Sequence, residues 1–261
     1  MTLVNYTATE SGVAILELCN PPANAYSYEM FRELDDAILK ARFDEAVHVI
    51  VVQGAGEKFF CAGADIEMLG SVTTAFKYNF CLHANETLLR LANTSKLVIA
   101  AIGGHCVGGG LEVAMAADIR LAKAGRGKLG LPEVGLGVLP GTGGTQRLAR
   151  LVGSAKAIEL MVSGENFSVE VAAELGLVNK ILPDDDFDNA VIAYAESFCP
   201  PNRASMAVGH IKRAVATGSD LSLESGLALE RELQQRLFES EDAKEGIAAF
   251  REKRKPTFSG R

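Results

Sequence analysis

Apolar residues in the first part of the chain follow two different spacings, one typical of strands and one typical of helices. Val13–Leu18 is an apolar segment that ends at Asn20-Pro21-Pro22, and it predicts a β-strand. Ser27 can then serve as the N-cap of a helix that extends to about Phe43, because apolar residues recur there near helical spacing. A strand followed by a helix is the first unit of an α/β pattern.

Further strands are predicted at four short runs in which apolar residues predominate. These runs are Val47–Val52, Leu97–Ile102, Asp118–Ala122 and Leu177–Leu182. Apart from His48, the first two contain only apolar residues, as in strands that are buried on both faces. Because helical stretches separate the strands, we expect an α/β fold.

The pattern changes after the breaker Pro200-Pro201-Asn202. From Arg203 to Lys253 the composition is helical, and no strand is indicated. Leucines recur there every four residues, at Leu229, Leu233 and Leu237. Such a stripe either packs against its own domain or contacts another subunit. We therefore divide the chain into a core, residues 1–200, and a helical region, residues 201–261.

Composition narrows the function classes. The chain has 261 residues, enough for one large domain or a domain with an appendage. Its net charge of −7 argues against a nucleic-acid partner, which usually requires a basic face. The five cysteines are scattered without a CxxC pair, so neither a metal site nor a disulfide framework is expected. The N-terminal residues do not resemble a signal peptide and no segment is apolar enough for a membrane span, so we expect a cytoplasmic protein.

The candidate chemistry lies in glycine-rich turns that carry two glutamates. Gly103–Glu112 follows a predicted strand and opens a helix, and Leu131–Arg147 is a second glycine-rich stretch that contains Glu133. A third turn of small residues, Cys61–Ile66, follows the strand at Val47–Val52. Main-chain amides in such turns are unhindered, and two that converge can stabilise an anion. The sequence therefore indicates acid–base chemistry beside an oxyanion.

These motifs resemble the crotonase (enoyl-CoA hydratase/isomerase) superfamily. The similarity rests on Cys61–Ile66, Gly108–Glu112 and Pro132–Arg147, and on the C-terminal segment Gly246–Pro256, so that it covers nearly the whole chain. It implies a spiral of repeated ββα units that binds an acyl-CoA thioester. It also implies a C-terminal helical region that forms trimers, often paired into hexamers.

The resemblance implies a role for four residues. The amides of Ala64 and Gly109 would hold the enolate oxygen of the thioester, and Glu112 and Glu133 would hold one water between them. Glu112 would activate this water and Glu133 would protonate the α-carbon. Two neighbouring carboxyl groups split their pKa values, so one can keep its proton near neutral pH. No metal or separate cofactor is implied, because coenzyme A is part of the substrate.

The resemblance also implies contacts with the substrate's coenzyme A. The residues that match such positions are Ala23, Ala25, Lys58, Ala62, Asp65, Ile66, Gly141, Phe250 and Lys253. The Gly141 amide would help to orient the water, and the last two residues would reach the CoA of a neighbouring subunit. Lys58 is equally well explained as a solvated loop lysine.

Other residues near these motifs are expected to be structural. His105, Cys61 and Cys106 have no partner that would make them catalytic. Tyr26 follows Asn-Ala at a position where many relatives carry an aliphatic residue. Acyl specificity is expected to depend on residues 70–93, where a set of aromatic residues either borders a pocket or packs, namely Phe76, Tyr78, Phe80 and His83.

Several alternatives to a hydratase are open. A Δ3-Δ2 enoyl-CoA isomerase generally needs one carboxylate, so the presence of both Glu112 and Glu133 favours water addition. Another acyl-CoA lyase of the same superfamily is also open, whereas its hydrolases and decarboxylases usually differ at one of these two positions. An RNA-binding member of the superfamily is disfavoured by the acidic charge, and a non-catalytic scaffold by the retention of both glutamates.

Overall fold

A computed structural model describes residues 2–261. Within them the strands are β1 (Val4–Ala8), β2 (Val13–Leu18), β3 (Val49–Gly54), β4 (Phe59–Cys61), β5 (Leu97–Ile102), β6 (His105–Val107), β7 (Ile119–Lys123), β8 (Lys128–Gly130), β9 (Phe167–Ser168) and β10 (Lys180–Leu182). The helices are α1 (Tyr28–Phe43), α2 (Ile66–Ser71), α3 (Thr74–Ala92), α4 (Gly109–Met115), a 3₁₀ helix (Glu133–Leu136), α5 (Gly144–Val152), α6 (Ser154–Ser163), α7 (Val169–Glu174), α8 (Phe187–Glu196), α9 (Ser205–Gly218), α10 (Leu223–Glu239) and α11 (Glu241–Glu252).

The larger sheet is buried on both faces. Its strand order is β1-β2-β3-β5-β7-β10, and all neighbours are parallel except β1 and β2. Because side chains alternate along a strand, Ile50 and Val52 of β3 face one core, which includes residues of α1 and α4. Val49 and Val51 face the other core, which includes residues of α8. This two-sided burial explains why the apolar runs of β3 and β5 are uninterrupted.

Most predicted elements are confirmed, with shifted bounds. The Ser27 hydroxyl accepts the Met30 amide at 3.4 Å and caps α1, which ends at Phe43 as expected. The strand predicted over residues 177–182 is wrong in its first half. Leu177 and Val178 donate their amides to the carbonyl of Ala172 and so complete the end of α7, which leaves only residues 180–182 in the sheet.

The smaller sheet was not predicted. Its strands follow the order β4-β6-β8-β9, and β4, β6 and β8 are parallel to one another. Each of these three strands has only three residues, too few to show an alternating pattern. The chain therefore does not pass from β5 directly into the glycine loop of α4, as the sequence suggested, but first enters the second sheet through β6.

The C-terminal helices pack on the core through a buried ion pair. The Lys212 ammonium of α9 lies 2.8 Å from Asp118 and also donates to the carbonyl of Lys96 at 2.9 Å. On α10, Leu233 is buried while the other two leucines of the stripe are partly exposed. The α/β class with a C-terminal helical region is confirmed, and the domain boundary at residue 200 stays a prediction. No helix within residues 2–261 is long and apolar enough to cross a membrane.

Candidate active site

Three turns of the candidate site leave the same edge of the smaller sheet. Residues 62–65 follow β4, Gly108 follows β6 and residues 131–133 follow β8. Since these strands are parallel neighbours, their carboxyl ends lie side by side, where ligands commonly bind in α/β proteins. The Gly108 amide donates to the Gly130 carbonyl at 2.8 Å and ties the second turn to the third. The small sheet thus brings together segments that are far apart in the sequence.

Two free main-chain amides converge where the first two turns meet. Gly63 has φ +93°, and a β-carbon placed on it would lie 3.0 Å from the Gly109 nitrogen. Within the described chain, neither the Ala64 amide nor the Gly109 amide has a hydrogen-bond acceptor. Gly109 is the first residue of α4, where amides lack intrahelical partners. Both residues line a cavity of about 640 Å³, as an oxyanion hole requires.

Glu112 is buried in the first turn of α4 and held by two further amides. Its Oε1 accepts the Thr142 amide at 2.7 Å and the Gly144 amide at 2.6 Å. Burial raises the pKa of Glu112 to about 7; Glu133 contributes to this increase, and the two amides oppose it. Neither donor was predicted from the sequence, which indicated Gly141 in the same loop. The glycine at position 144 is the one local feature that points to this contact, because a β-carbon there would lie only 2.9 Å from Oε1.

Glu133 faces the same cavity from the third turn. It begins the 3₁₀ helix after β8, and its Oε1 lies 3.1 Å from the position of a β-carbon on Gly108. Its Oε2 is buried, and no group of the described residues donates to it. Burial raises the pKa of Glu133 as well. Two carboxyl groups with raised pKa values in one cavity can hold a proton between them near neutral pH.

The loop that binds Glu112 is supported from two helices. Arg147 of α5 donates to the Thr142 carbonyl at 3.1 Å, and Asn85 of α3 donates to the Gly141 carbonyl at 3.3 Å. Burial lowers the pKa of Arg147, and the charge of Glu112 opposes that shift. Arg147 and Asn85 therefore fix the loop whose amides orient Glu112.

The remaining cavity wall is mainly apolar. Side chains from α2, α3 and the segment after Glu133 form it, namely Ile66, Leu69, Phe80, Ala84, Leu136, Val138 and Leu139. Of the aromatic residues proposed for this wall, Phe80 lines it, whereas Phe76, Tyr78 and His83 do not. An acyl chain can therefore lie against hydrocarbon while its reacting carbons lie between carboxyl groups.

The structure places some of the predicted CoA-contacting residues at the cavity. Ala62, Ile66 and Gly141 line it. Two others, Ala23 and Asp65, support the turn after β4 instead. The Ala23 carbonyl accepts the Ala62 amide at 3.0 Å, and Asp65 accepts the Glu67 and Met68 amides as the N-cap of α2.

The four other predicted contacts lie outside the cavity wall of this chain. Ala25 accepts a hydrogen bond from Asn20 at its carbonyl, and the Lys58 ammonium lies 5.5 Å from the ring centre of Phe59. Phe250 is 85% exposed on α11, and Lys253 ends that helix. All the CoA contacts stay predictions.

The residues expected to be structural have structural partners. His105 accepts the Lys128 amide at 3.2 Å and its ring packs on Phe59. Burial raises the pKa of Cys61 to about 12 and that of Cys106 well above its usual value, so neither is a ready nucleophile. Residues 2–261 contain no group of three or more ligating side chains that could hold a metal ion.

The raised pKa of Glu112 makes protein stability depend on pH. Its pKa of about 7 in the folded state exceeds the ordinary value of 4.5, so the folded protein binds this proton more tightly and loses stability as pH rises from 4.5 to 7. The Glu112→Gln variant lacks this loss. We expect it to be more stable than wild type at pH 8, by about 1–3 kcal/mol, and this advantage to shrink at pH 5. Urea unfolding at both pH values measures the difference, and an equal difference at both would contradict the pKa assignment.

Comparisons with known proteins agree on one family. Residues 8–261 match the family model for enoyl-CoA hydratase/isomerase. A probable enoyl-CoA hydratase of Bacillus subtilis is 42% identical over 255 residues, which cover 97% of each chain. A short-chain-enoyl-CoA hydratase of Clostridium acetobutylicum is 38% identical over 94% of each chain. The crystal structure of an enoyl-CoA hydratase from Geobacillus kaustophilus superposes with a TM-score of 0.97 at 43% identity, covering 100% of this chain and 98% of that one.

Proposed function

The chain belongs to the enoyl-CoA hydratase/isomerase family, and we propose that it adds water reversibly to a 2-enoyl-CoA to give a 3-hydroxyacyl-CoA. The observation that carries this proposal is the meeting of the buried Glu112 carboxyl group, the half-buried Glu133 carboxyl group and two free amides at one cavity. The expected resemblance to the crotonase superfamily is confirmed by the match over nearly the whole chain.

The proposed reaction uses each of these groups once. A water bound between the glutamates loses a proton to Glu112 as its oxygen bonds to the β-carbon. The electron pair of the C=C bond moves toward the thioester carbonyl, whose oxygen becomes an enolate. The Ala64 and Gly109 amides donate to this oxygen, and each such donor contributes roughly 3 kcal/mol in other enzymes. The enolate collapses when Glu133 delivers its proton to the α-carbon.

The hydrogen bonds around the glutamates support this division of roles. Burial raises the pKa of Glu112 to about 7 and the Thr142 and Gly144 amides limit this increase, so that an ionised fraction of Glu112 is available as a base near neutral pH. Glu133 has a buried oxygen without a donor among the described residues, which favours its protonated form. One turnover moves a proton from Glu133 to Glu112 by way of the substrate and water. Because the two groups form one titrating pair, exchange with solvent restores the starting state.

Isomerisation is the second candidate within the family. It requires one carboxyl group to move a proton between two carbons, and it leaves the other without a role. The shared orientation of Glu112 and Glu133 toward the cavity therefore favours water addition. RNA binding has less support, because the chain carries a net charge of −7, and a scaffold role would leave both glutamates unexplained.

The proposal also covers cofactor use, location and assembly. Acid–base chemistry on a thioester needs no metal or separate cofactor, so we infer that the enzyme works without one. We also propose that it acts in the cytoplasm, in β-oxidation of fatty acids. A homotrimer, alone or paired into a hexamer, is supported by large apolar residues exposed on the C-terminal helices, namely Ile211, Val215, Leu223 and Phe238.

The test follows the ultraviolet absorbance of the conjugated enoyl thioester. We expect a short-chain 2-enoyl-CoA to lose this absorbance when enzyme is added, with formation of the 3-hydroxyacyl-CoA detected by mass. A 3-enoyl-CoA serves as the control, because an isomerase would convert it into the absorbing 2-enoyl form. Efficient conversion of the 3-enoyl substrate without hydration of the 2-enoyl substrate would refute the hydratase assignment.

A further inference from the structure

Tyr26 pairs through its main chain with the turn that carries the Ala64 amide. Its N–H donates to the Gly63 carbonyl at 2.9 Å, and its carbonyl accepts the Asp65 amide at 2.9 Å. These two bonds flank Ala64, and Tyr26 and Ala64 form an isolated parallel bridge. The main chain of Tyr26 therefore fixes the position of one enolate-binding amide.

The side chain of Tyr26 extends from this turn into the wall of the cavity. The residue is 4% exposed, and its ring packs edge-on against Phe31, with ring centres 4.7 Å apart, and against Phe80. Its hydroxyl lies 3.2 Å from the Thr142 hydroxyl. A β-carbon on Gly109 would collide with the Tyr26 hydroxyl oxygen, so the hydroxyl lies directly against the residue that carries the second amide.

Thr142 connects this hydroxyl to Glu112. Its amide donates to Glu112, and its hydroxyl also lowers the pKa of that carboxyl group. A Thr142 hydroxyl that donates to Glu112 leaves its oxygen free to accept from Tyr26. Burial and the charge of Glu112 raise the pKa of Tyr26 well above its usual value, so its hydroxyl stays protonated and can donate to Thr142.

We propose that Tyr26 is a positioning residue whose main chain holds the Ala64 amide and whose hydroxyl, seated between Gly109 and Thr142, orders the loop that orients Glu112. This inference rests on the hydratase function proposed above. It assigns a purpose to a hydroxyl group at a position where an aliphatic side chain would supply packing alone. Tyr26 acts through Thr142 and Glu112, and the reacting atoms need not touch it.

The titratable groups around Glu112 decide how the proposal can be tested. Glu133 faces it from the turn after β8, Arg147 from α5, Cys81 from α3 and Tyr26 from the segment before α1. Changing Tyr26 to Phe alters none of the charges in this set. Any change in the pH profile of this variant therefore reports the hydrogen bonds to Glu112.

The experiment compares Tyr26→Phe with Tyr28→Phe in the full-length enzyme. Tyr28 is two residues away and also packs its ring on Phe80. Its other aromatic contacts, with Phe76 and His83, are likewise made by the ring, and the residue does not line the cavity. With a short-chain 2-enoyl-CoA, we expect Tyr26→Phe to lower kcat about threefold to tenfold, the size of a lost neutral hydrogen bond. KM should change by less than about twofold, and the acid limb of kcat/KM should move up by about half a pH unit. Tyr28→Phe should match wild type.

Other outcomes would contradict either the positioning role of Tyr26 or the proposed hydratase function. Wild-type kcat and pH profile in Tyr26→Phe would overturn the positioning role, as would a raised KM with unchanged kcat, which would indicate direct substrate contact. If wild type and both variants all fail to hydrate any enoyl-CoA, the proposed function itself is wrong. Tyr26→Leu removes the ring as well as the hydroxyl, so it tests whether an aliphatic side chain can replace Tyr26 by packing alone. It should lose at least as much kcat as Tyr26→Phe, and recovery toward wild type would also overturn the proposal.

Discussion

Glu133→Gln is expected to lower kcat for the hydration of a 2-enoyl-CoA about a thousandfold at pH 7, with a similar loss in Glu112→Gln. General acid–base catalysis by one positioned group contributes roughly 10²–10⁴-fold. A glutamine side chain keeps the shape of each glutamate but can neither supply the α-proton nor accept a proton from water. In Glu133→Gln the new side-chain amide would still fill the space beside Gly108, where the Glu133 Oε1 now lies, so substrate binding should be preserved.

The measurement is the initial rate of absorbance loss at saturating substrate. Glu10→Gln, which changes an exposed glutamate in the turn between β1 and β2 that does not line the cavity, is the matched control and should keep full activity. The same preparation of Glu112→Gln should show the increased stability above pH 7 predicted earlier, which separates loss of chemistry from loss of folding. A folded Glu112 or Glu133 variant with more than about a tenth of wild-type kcat would contradict the mechanism in which both act.

Asp118→Asn is expected to destabilise the protein by about 3 kcal/mol or more. Asp118 receives the Lys212 ammonium at 2.8 Å and the Val98 amide at 2.7 Å, and the Lys212 side chain is only 5% exposed. Removal of the Asp118 carboxylate leaves the Lys212 ammonium without its acidic partner in a site where burial already lowers the pKa of Lys212. The remaining bond to the Lys96 carbonyl does not neutralise that charge. Because this pair joins α9 to the start of the central strands β5 and β7 of the large sheet, the C-terminal helices should lose order first.

Urea unfolding at pH 7 measures this change, and the chain provides its own control. Asp220 forms an exposed pair with Arg150 at 3.5 Å, with both side chains more than 60% exposed. Asp220→Asn should change the free energy of unfolding by less than about 0.5 kcal/mol, as for surface ion pairs in general. Similar decreases in the free energy of unfolding for Asp118→Asn and Asp220→Asn would show that the buried Asp118–Lys212 pair stabilises the protein no more than an exposed pair does.

The sequence predicted long elements well because their patterns reflect burial. The strands at residues 49–54 and 97–102 lie between two cores, so residues 49–52 and 97–102 are all apolar and buried. Helix α1 has both a cap and a periodic face. Residues 70–93 gave no readable pattern although they contain α3, which spans 19 residues. That helix borders the cavity on one side and remains partly exposed elsewhere, so its apolar positions are not confined to one stripe.

Only those residues of the candidate site that belong to a recognisable motif could be predicted from the sequence. Ala64, Gly109, Glu112 and Glu133 were selected from the sequence, and the structure brings all four to one cavity. The strands β4, β6 and β8, which align their turns, were too short to detect. The two amides that hold Glu112 were missed because hydrogen bonds between residues about 30 positions apart depend on tertiary contacts. Tyr26 likewise has no local signal for its contact with Thr142, 116 residues away.

The two amides that we propose as donors to the enolate oxygen belong to the main chain, which has a consequence for how this scaffold can evolve. A mutation can crowd Ala64 or Gly109, but no amino acid except proline removes the N–H itself. The carboxyl groups, by contrast, can each be lost in a single substitution. If these amides act as proposed, the ability to stabilise a thioester enolate is inherited with the fold, whereas the reaction that follows from this enolate is set by side chains and is free to diverge.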